Sequence, residues 1–546
     1  LAVRGKLVPQ DPKDEPASVL LERIAAEKAQ LIKDKKIKKQ KPLPEITEDE
    51  KPFELPDGWK WSRLGLIAKK LTDGSHNPAK DNGDGFPMLS GQNVNFGKID
   101  FDNPSRYVDQ VNYKKEHSRT QVQENDILLT IVGSIGRSAV VPINAPKFVL
   151  QRSVAVIDTS IFSQFLCNQF ISPLCLKYYE VYGKGTAQKG IYLGQLSLMP
   201  IIIPPIEEQH RIVAKVDELM SLCDALEAQT ESSISAHQTL VTTLLDALLL
   251  PPGVSSSSGG DFQDNWQRIS EHFDTLFTTT ASIDALKQTI LQLAVMGKLV
   301  PQDPNDEPAS KLLERIAAEK AQLIKDKKIK KQKTLPEISE DEKPFLLPKG
   351  WGASKVDSCF YVSGGIQKTP KRAPVYNHYP YLAVANVQRG DIDINDLKRF
   401  EATVEELDQY RLESFDLLIV EGNGSENEIG RCAIWEGRVE DCLHQNHLIK
   451  CRPVIKKLSC WVLMFFNSPL GISEMKRLAV TSSGLYNLSV GKIRTILLPL
   501  PPLEEQHRIV AKVDELMVLC DSLKNRLTDA QTTQQHLADT LVKEAL

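Results

Sequence analysis

After Pro204 and Pro205 the apolar residues fall at Ile212, Val216, Leu219, Cys223 and Leu226. The steps alternate between four and three, which is the heptad seam of a coiled-coil helix. A second seam runs through Ile509, Val513, Leu516, Cys520, Leu523 and Leu527, then through Ala530 to Leu537 and Leu541. In the first copy the seam turns polar at Thr230, Ser233 and His237 and resumes at Leu240 and Leu244. A helix of roughly 40 residues is about 60 Å long, and so long an apolar edge requires a partner. Pro251, Pro252 and Gly253 stop the first helix, and the Ser/Gly run inside 251–262 is expected to be a flexible linker. Heptad steps return at Trp266, Ile269, Phe273 and Leu276, and again at Ile283, Leu286, Ile290 and Leu293. The register slips by one residue between these runs, which predicts a bend or break. This helix is the expected antiparallel partner of the first one.

The remaining apolar pattern is short and alternating. Phe86–Leu89, Asp126–Val132, Ser138–Val141 and Val154–Ile157 read as bent strands, as do Tyr379–Val384, Asp416–Val420, Arg431–Trp435 and Leu448–Cys451. Stretches near 162–179 and 459–477 read as helices. These mixed segments are enclosed by repeats. Residues 1–59 return as 293–351 with seven differences in 59 positions, and the block PPIEEQHRIVAKVDEL at Pro204 returns as PPLEEQHRIVAKVDEL at Pro501. The offsets are 292 and 297, so the enclosed inserts differ in length by five residues. The inserts themselves, 59–203 and 351–500, do not visibly align. One fold carrying two specificities is the simple account.

These repeats divide the chain into a repeated helical and basic segment (1–58), a first insert (59–203) and a coiled-coil helix (204–250). The linker (251–262) and a partner helix (263–300) come next. The second repeated segment (301–350), the second insert (351–500) and the C-terminal helix (501–546) complete the chain. The fold class is α+β: two mixed α/β domains separated by long antiparallel coiled-coil helices in a pseudo-twofold, pseudo-circular arrangement. By that symmetry the C-terminal helix would pair with a helix expected ahead of Leu1.

Composition narrows the function. The net charge is −4, but the first insert holds 16 basic against 11 acidic residues and the second 18 against 17. The inserts are therefore less acidic than the frame, a pointer to where a polyanion would lie. Each repeated segment also ends in a basic tail, Lys33, Lys35, Lys36, Lys38, Lys39 and Lys41 with a twin from Lys325 to Lys333. Either a solvated helix end or a phosphate or partner contact explains it. The nine cysteines are scattered without a CxxC pair, which fits reduced thiols in a cytoplasm and no metal site. No apolar run reaches the roughly 20 residues of a membrane span.

Catalytic signatures are missing from the sequence. There is no Walker A pattern, and Gly83-Asp84-Gly85 and Gly422-Asn423-Gly424 lack the strand and helix of a nucleotide cradle. No Asn-Pro-Pro-aromatic tetrad occurs. Asp416 and Glu421 flank a strand but read as turn carboxylates. His210 and His507 lie on the repeated helix with no nucleophile nearby. The chain is expected to be a reader without catalytic residues of its own.

Polar side chains in turns after strands are suited to reading base edges, amides for adenine and Arg or Lys for guanine. In the first insert these are Ser75, His76, Gln92, Asn93, Lys98, Ser134, Arg137, Gln151, Arg152, Lys184, Gln188 and Lys189. In the second they are Gln367, Lys368, Lys371, Arg372, Asn386, Gln388, Arg389, Asn423, Arg431, Gln445, Asn446, Ser482, Ser483 and Tyr486.

The repeated Pro-Pro-hydrophobic-Glu-Glu-Gln-His-Arg-Ile-Val block, each copy after a variable domain and before a heptad helix, resembles the specificity (S) subunit of Type I restriction–modification systems. The resemblance covers essentially the whole chain. It implies two target recognition domains that read the halves of a split, asymmetric site on double-stranded DNA, and coiled coils that set the spacer. It also implies two modification subunits that use S-adenosylmethionine, and two restriction subunits that use ATP and Mg. No cofactor is expected in this chain. The competing class is a coiled-coil adaptor that binds proteins through its inserts. A fused single-chain modification enzyme is disfavoured by the missing cofactor motifs.

Overall fold

The computed structural model describes residues 1–185, 189–249, 262–339, 342–343, 345–423, 425, 428–482 and 485–545. The expected linker lies outside the described residues apart from Phe262. The chain divides into two compact units, Leu1–Thr230 and Glu231–Ala545. The helix Ile206–Leu249 passes the boundary between them.

In the first unit, strand Lys60–Arg63 pairs antiparallel with Pro200–Ile203 and closes the base of the insert. Between them lies a four-stranded antiparallel sheet in the order Ala68–Asp73, Val154–Thr159, Ile127–Thr130, Ser138–Val140. A second sheet orders Arg106–Val108, Phe86–Leu89, Val149–Leu150, its last pair parallel. Strand Ile127–Thr130 is buried throughout. Ile127 and Leu129 face one core cluster and Leu128 another, so a sheet covered on both faces shows a continuous apolar run.

The second unit repeats the base pair of strands and both of these sheets, and adds a small sheet of Gly422–Asn423, Leu485–Asn487 and Val480–Ser482. Gly352–Lys355 pairs with Leu497–Leu500. The four-stranded sheet runs Phe360–Gly364, Leu448–Pro453, Leu417–Val420, Cys432–Ile434, and the mixed sheet runs Lys398–Glu401, His378–Leu382, Leu443–His444. The two inserts thus share strand order and sense, although their sequences do not visibly align.

Side-chain contacts explain why the frame is kept twice. The Trp59 indole N–H donates to Glu208 at 2.8 Å, and Trp351 donates to Glu505 at 3.1 Å. Arg211 meets Asp14 at 2.6 Å, and Arg508 meets Asp306 at 2.7 Å. Gln209 and Gln506 each donate to the carbonyl of the proline that opens the block, at 2.9 Å. Gly5 and Gly297 are left-handed, with φ of 66° and 69°, and a Cβ would strike Pro56 or Pro348. The repeated phrases therefore lock each N-terminal segment to the head of its long helix. The basic tails Lys33–Lys41 and Lys325–Lys333 carry exposed lysines.

The helical seams are covered unequally. Ile509, Val513 and Cys520 on helix Leu503–Ala545 are buried, and Leu516 and Leu523 are partly buried. Their partner is helix Thr280–Val295, antiparallel, with Lys287–Asp521 at 2.7 Å and Lys524–Asp284 at 2.8 Å. This corrects the expected pairing. The helix after the linker does break, into Phe262–Glu271, Phe273–Leu276 and Thr280–Val295, and its earlier part meets the first long helix. There His237 meets the Thr275 carbonyl at 3.1 Å, and Val241, Leu245 and Leu248 share a core with Ile269 and Leu276. The late part turns to the C-terminal helix because the register slip presents a different face. On the first long helix Ile212 is buried and Val216 and Leu219 are half-buried. Cys223 and Leu226, expected in the covered seam, are exposed, as are Leu537 and Leu541 on the second.

One buried group makes the second insert acid-sensitive. His444 is fully buried, and burial, with Lys450 adding to it, holds its pKa well below the ordinary 6.5. The folded chain keeps this ring neutral, while the unfolded chain protonates it below that value. Its contribution to stability is present above pH 6.5 and is lost as pH falls. In the first insert the same place is Leu150, by its pairing with Leu89 where His444 pairs with Leu382. His444→Leu is therefore expected to flatten the fall of melting temperature between about pH 6.5 and 5. An unchanged slope would contradict the assignment.

Candidate nucleic-acid interface

The antiparallel sheet gathers the expected loops at one end of each insert. In the first, Asp73 ends one strand, Val154 begins the next, Thr130 ends the third and Ser138 begins the fourth. Registry makes these four ends neighbours. The Ser75 N–H donates to Leu150 at 2.8 Å, Arg152 donates to Ser75 at 2.9 Å, and Gln151 donates to Leu89 at 2.8 Å. Ile131 donates to Ser153 and Gly133 to Lys189, both at 2.9 Å. The loops at 74–76, 89–93, 131–137 and 150–153, with residues 189 and 190, are thus stitched into one surface by main-chain bonds.

On that surface Gln92, Lys98, Ser134, Arg152, Lys184 and Lys189 are exposed. Arg137 is half-buried and donates to Asn95 at 3.2 Å; Gln151 is half-buried and donates to Ser105 at 2.8 Å. His76 contacts Asp73 at 2.7 Å, and Arg119 binds the other oxygen of the same carboxylate at 2.7 Å. Gln188 lies outside the described residues. Two expectations fail on burial. Asn93 is 1% exposed, accepts from Ser90 and donates to Asn103, so its amide closes a turn. Ser75 is also buried, inside the bridge to Gln151.

The second insert builds the same end from different side chains. Ile366 donates to His444, Asn446 to Ile366, Gln445 to Leu382 and Glu421 to His447, all at 2.9 Å. Gln367, Lys368 and Gln388 are exposed, and Gln445, Asn446, Tyr486 and Arg431 are half-buried. Arg431 occupies the place of Arg137, since each returns its carbonyl to the strand residue Val420 or Thr130 at 2.8 Å. Arg431 donates to the Val384 carbonyl at 3.0 Å. Arg389 is half-buried and donates to Asn467 at 3.1 Å. Asn386 repeats Asn93: it is buried, accepts from Ala383 and donates to Asp393, and so serves the turn. Arg372 is a second correction of role, because both its terminal nitrogens grip Glu406, at 3.0 and 2.7 Å. That grip also holds the Arg372 guanidinium above its usual pKa and lowers Glu406. The backbones at Lys371, Asn423 and Ser482 are described; Ser483 lies outside the described residues.

Two further residues lie at this end, Glu421, which the sequence offers as a turn carboxylate, and His447, which it does not single out. Glu421 follows strand Leu417–Val420, and His447 precedes strand Leu448–Pro453. Their side chains meet at 3.3 Å and are 31% and 57% exposed. The signal available was the end-of-strand position itself, which marks a place where side chains leave the sheet.

Comparison with known proteins completes the picture. The profile described as Type I restriction modification DNA specificity domain matches residues 56–236 and 348–530, once in each insert and its following helix. The EcoAI specificity subunit of a type I restriction enzyme from Escherichia coli is 41% identical, over 100% of this chain and 92% of that protein. The EcoEI specificity subunit from the same species is 38% identical, with the same coverage. Among solved structures, the HsdS subunit from Thermoanaerobacter tengcongensis is 17% identical with a TM-score of 0.39, over 91% of this chain and 98% of that one.

Proposed function

Because this chain belongs to the Type I restriction modification DNA specificity family, we propose that each insert reads one half of a split, asymmetric DNA site. The chain is a DNA-specificity subunit, the non-catalytic part of a restriction–modification enzyme. The comparisons give no support to a plain coiled-coil adaptor. The observation that carries the two-reader proposal is the pair of inserts with one sheet order, one loop-bearing end and different exposed side chains at that end. Main-chain bonds fix the loops on a shared sheet, and loop length and side chains vary, as required of two readers with separate targets.

The doubled frame gives the proposal its second half. The Trp59–Glu208 and Arg211–Asp14 contacts recur as Trp351–Glu505 and Arg508–Asp306. Two equivalent faces suit two identical partners, so two modification and two restriction subunits would dock on one specificity subunit. S-adenosylmethionine, ATP and Mg chemistry would reside in those partners. The exposed basic tails would add phosphate contacts that fix position without choosing sequence.

Replacing 59–203 with the corresponding domain of a relative tests the division of labour. Methylation-motif sequencing of cells carrying the full complex is expected to show one half-site changed and the other retained. Change in both halves would refute two independent readers.

A further inference from the structure

The two inserts part company at one pair of equivalent positions. In the first, Ile131 donates to the Ser153 carbonyl at 2.9 Å and accepts from Ile191 at 2.8 Å. In the second, Glu421 donates to the His447 carbonyl at 2.9 Å and accepts from Leu488 at 2.7 Å. The backbone frame is the same. The side chains are not: Ile131 is buried in the core and the Ser153 hydroxyl accepts from Gly91 at 2.9 Å, so both serve the fold. His447 is instead exposed and Glu421 half-buried, and the two contact each other at 3.3 Å on the loop-bearing end of the sheet.

We propose that Glu421 and His447 form a specificity-determining pair that accepts from the exocyclic amine of a base in the half-site read by the second insert. The proposal rests on the DNA-specificity reading above. The Glu421 carboxylate lies 3.3 Å from His447 Nδ1 and, with two oxygens, keeps acceptor capacity for a donor from outside. On the other side of the ring Asn446 Nδ2 lies 3.5 Å from His447 Nε2, so the carboxylate is the acceptor that the pair presents. A carboxylate beside phosphates is repelled unless it meets a donor. In the major groove the amines at adenine N6 and cytosine N4 supply one. Tethering both residues through main-chain bonds fixes the acceptors before DNA arrives. A partly exposed pair of this kind contributes little to folding, so its removal reports on recognition.

The test installs the first insert's residues at these places, Glu421→Ile with His447→Ser, in the full complex, and sequences the methylated motif. The expected result is an unchanged first half-site and spacer. One position of the second half-site should lose discrimination by about 10-fold or more. Whether an adenine or a cytosine position relaxes identifies the amine. His447→Gln, which leaves the Glu421 carboxylate in place, should lose less. A motif and methylation level identical to the parent's would overturn the proposal, as would loss of complex assembly, which would make the pair structural. A parent complex with no bipartite motif would instead refute the specificity reading beneath it.

Discussion

Arg452→Met is expected to destabilise the second insert by about 3–5 kcal/mol and to lower methylation. Asp416 has no solvent exposure. Its oxygens accept from Arg452 Nε at 2.9 Å and Nη2 at 2.7 Å, and from the Glu413 N–H at 2.8 Å. Methionine keeps the apolar stem and deletes the guanidinium, which leaves a buried carboxylate with one main-chain donor. Breaking one side of such a pair costs about 3–5 kcal/mol, a large share of the roughly 5–15 kcal/mol that holds a domain folded. Arg452 also ties Glu413 at 2.6 Å and the Arg411 carbonyl at 2.8 Å, so the turn into the strand loosens with it. The double variant Asp416→Leu with Arg452→Met should recover most of the loss, since an apolar pair needs no compensating charge. Urea unfolding of the full chain checks both. A single variant within about 1 kcal/mol of the parent would contradict the argument, given the size of buried-pair effects.

The first insert answers the same need with another residue. Asp126 sits where Asp416 does: Gln123 donates to it as Glu413 does to Asp416, and Val141 returns to its carbonyl as Trp435 does. Its cation is Lys70, at 2.6 Å, from a different strand. Burial pushes the Asp126 carboxyl up, with Lys70 pulling it back. Lys70→Met can therefore be met partly by protonation, and it costs less than Arg452→Met.

This substitution of partners shows what the sequence could and could not reveal. The long helices, the break after Leu276 and the strand within Asp416–Val420 are read from local, periodic signals, and the structure carries each of them. The common fold of the inserts is not local. It lies in which strands pair, and Lys70 in one strand replacing Arg452 in another leaves no alignable column. Helix pairing was hidden for the same reason, because a one-residue slip decides which neighbour Thr280–Val295 meets. Among candidate readers, Asn93 and Asn386 have the chemistry of base contacts, and their burial in a turn cannot be seen from residue type. Glu421 reads as a turn carboxylate in the sequence, and its pairing with His447 is hidden because the two are 26 residues apart and meet only in the fold.

The spacer is expected to track the first long helix. From Met220 to Ala236 every residue of Ile206–Leu249 is exposed, so added residues there disturb no packing. Four residues inserted after Thr230 lengthen a helix by about 6 Å and turn it by about 400°, close to one full turn. At roughly 3.4 Å per base pair, the methylated motif should gain about one to two base pairs of spacer with both half-sites unchanged. Two inserted residues make the sharper test. They add only about 3 Å but rotate the helix beyond the insertion by about 200°, which faces one reader away from the groove its partner has chosen. Methylation of any bipartite site should then collapse, although urea unfolding stays near the parent's. An unchanged spacer after four residues, or full methylation after two, would mean that the helix is not the ruler. Altered half-site sequence in either variant would mean that reading and measuring are not separate tasks in this chain.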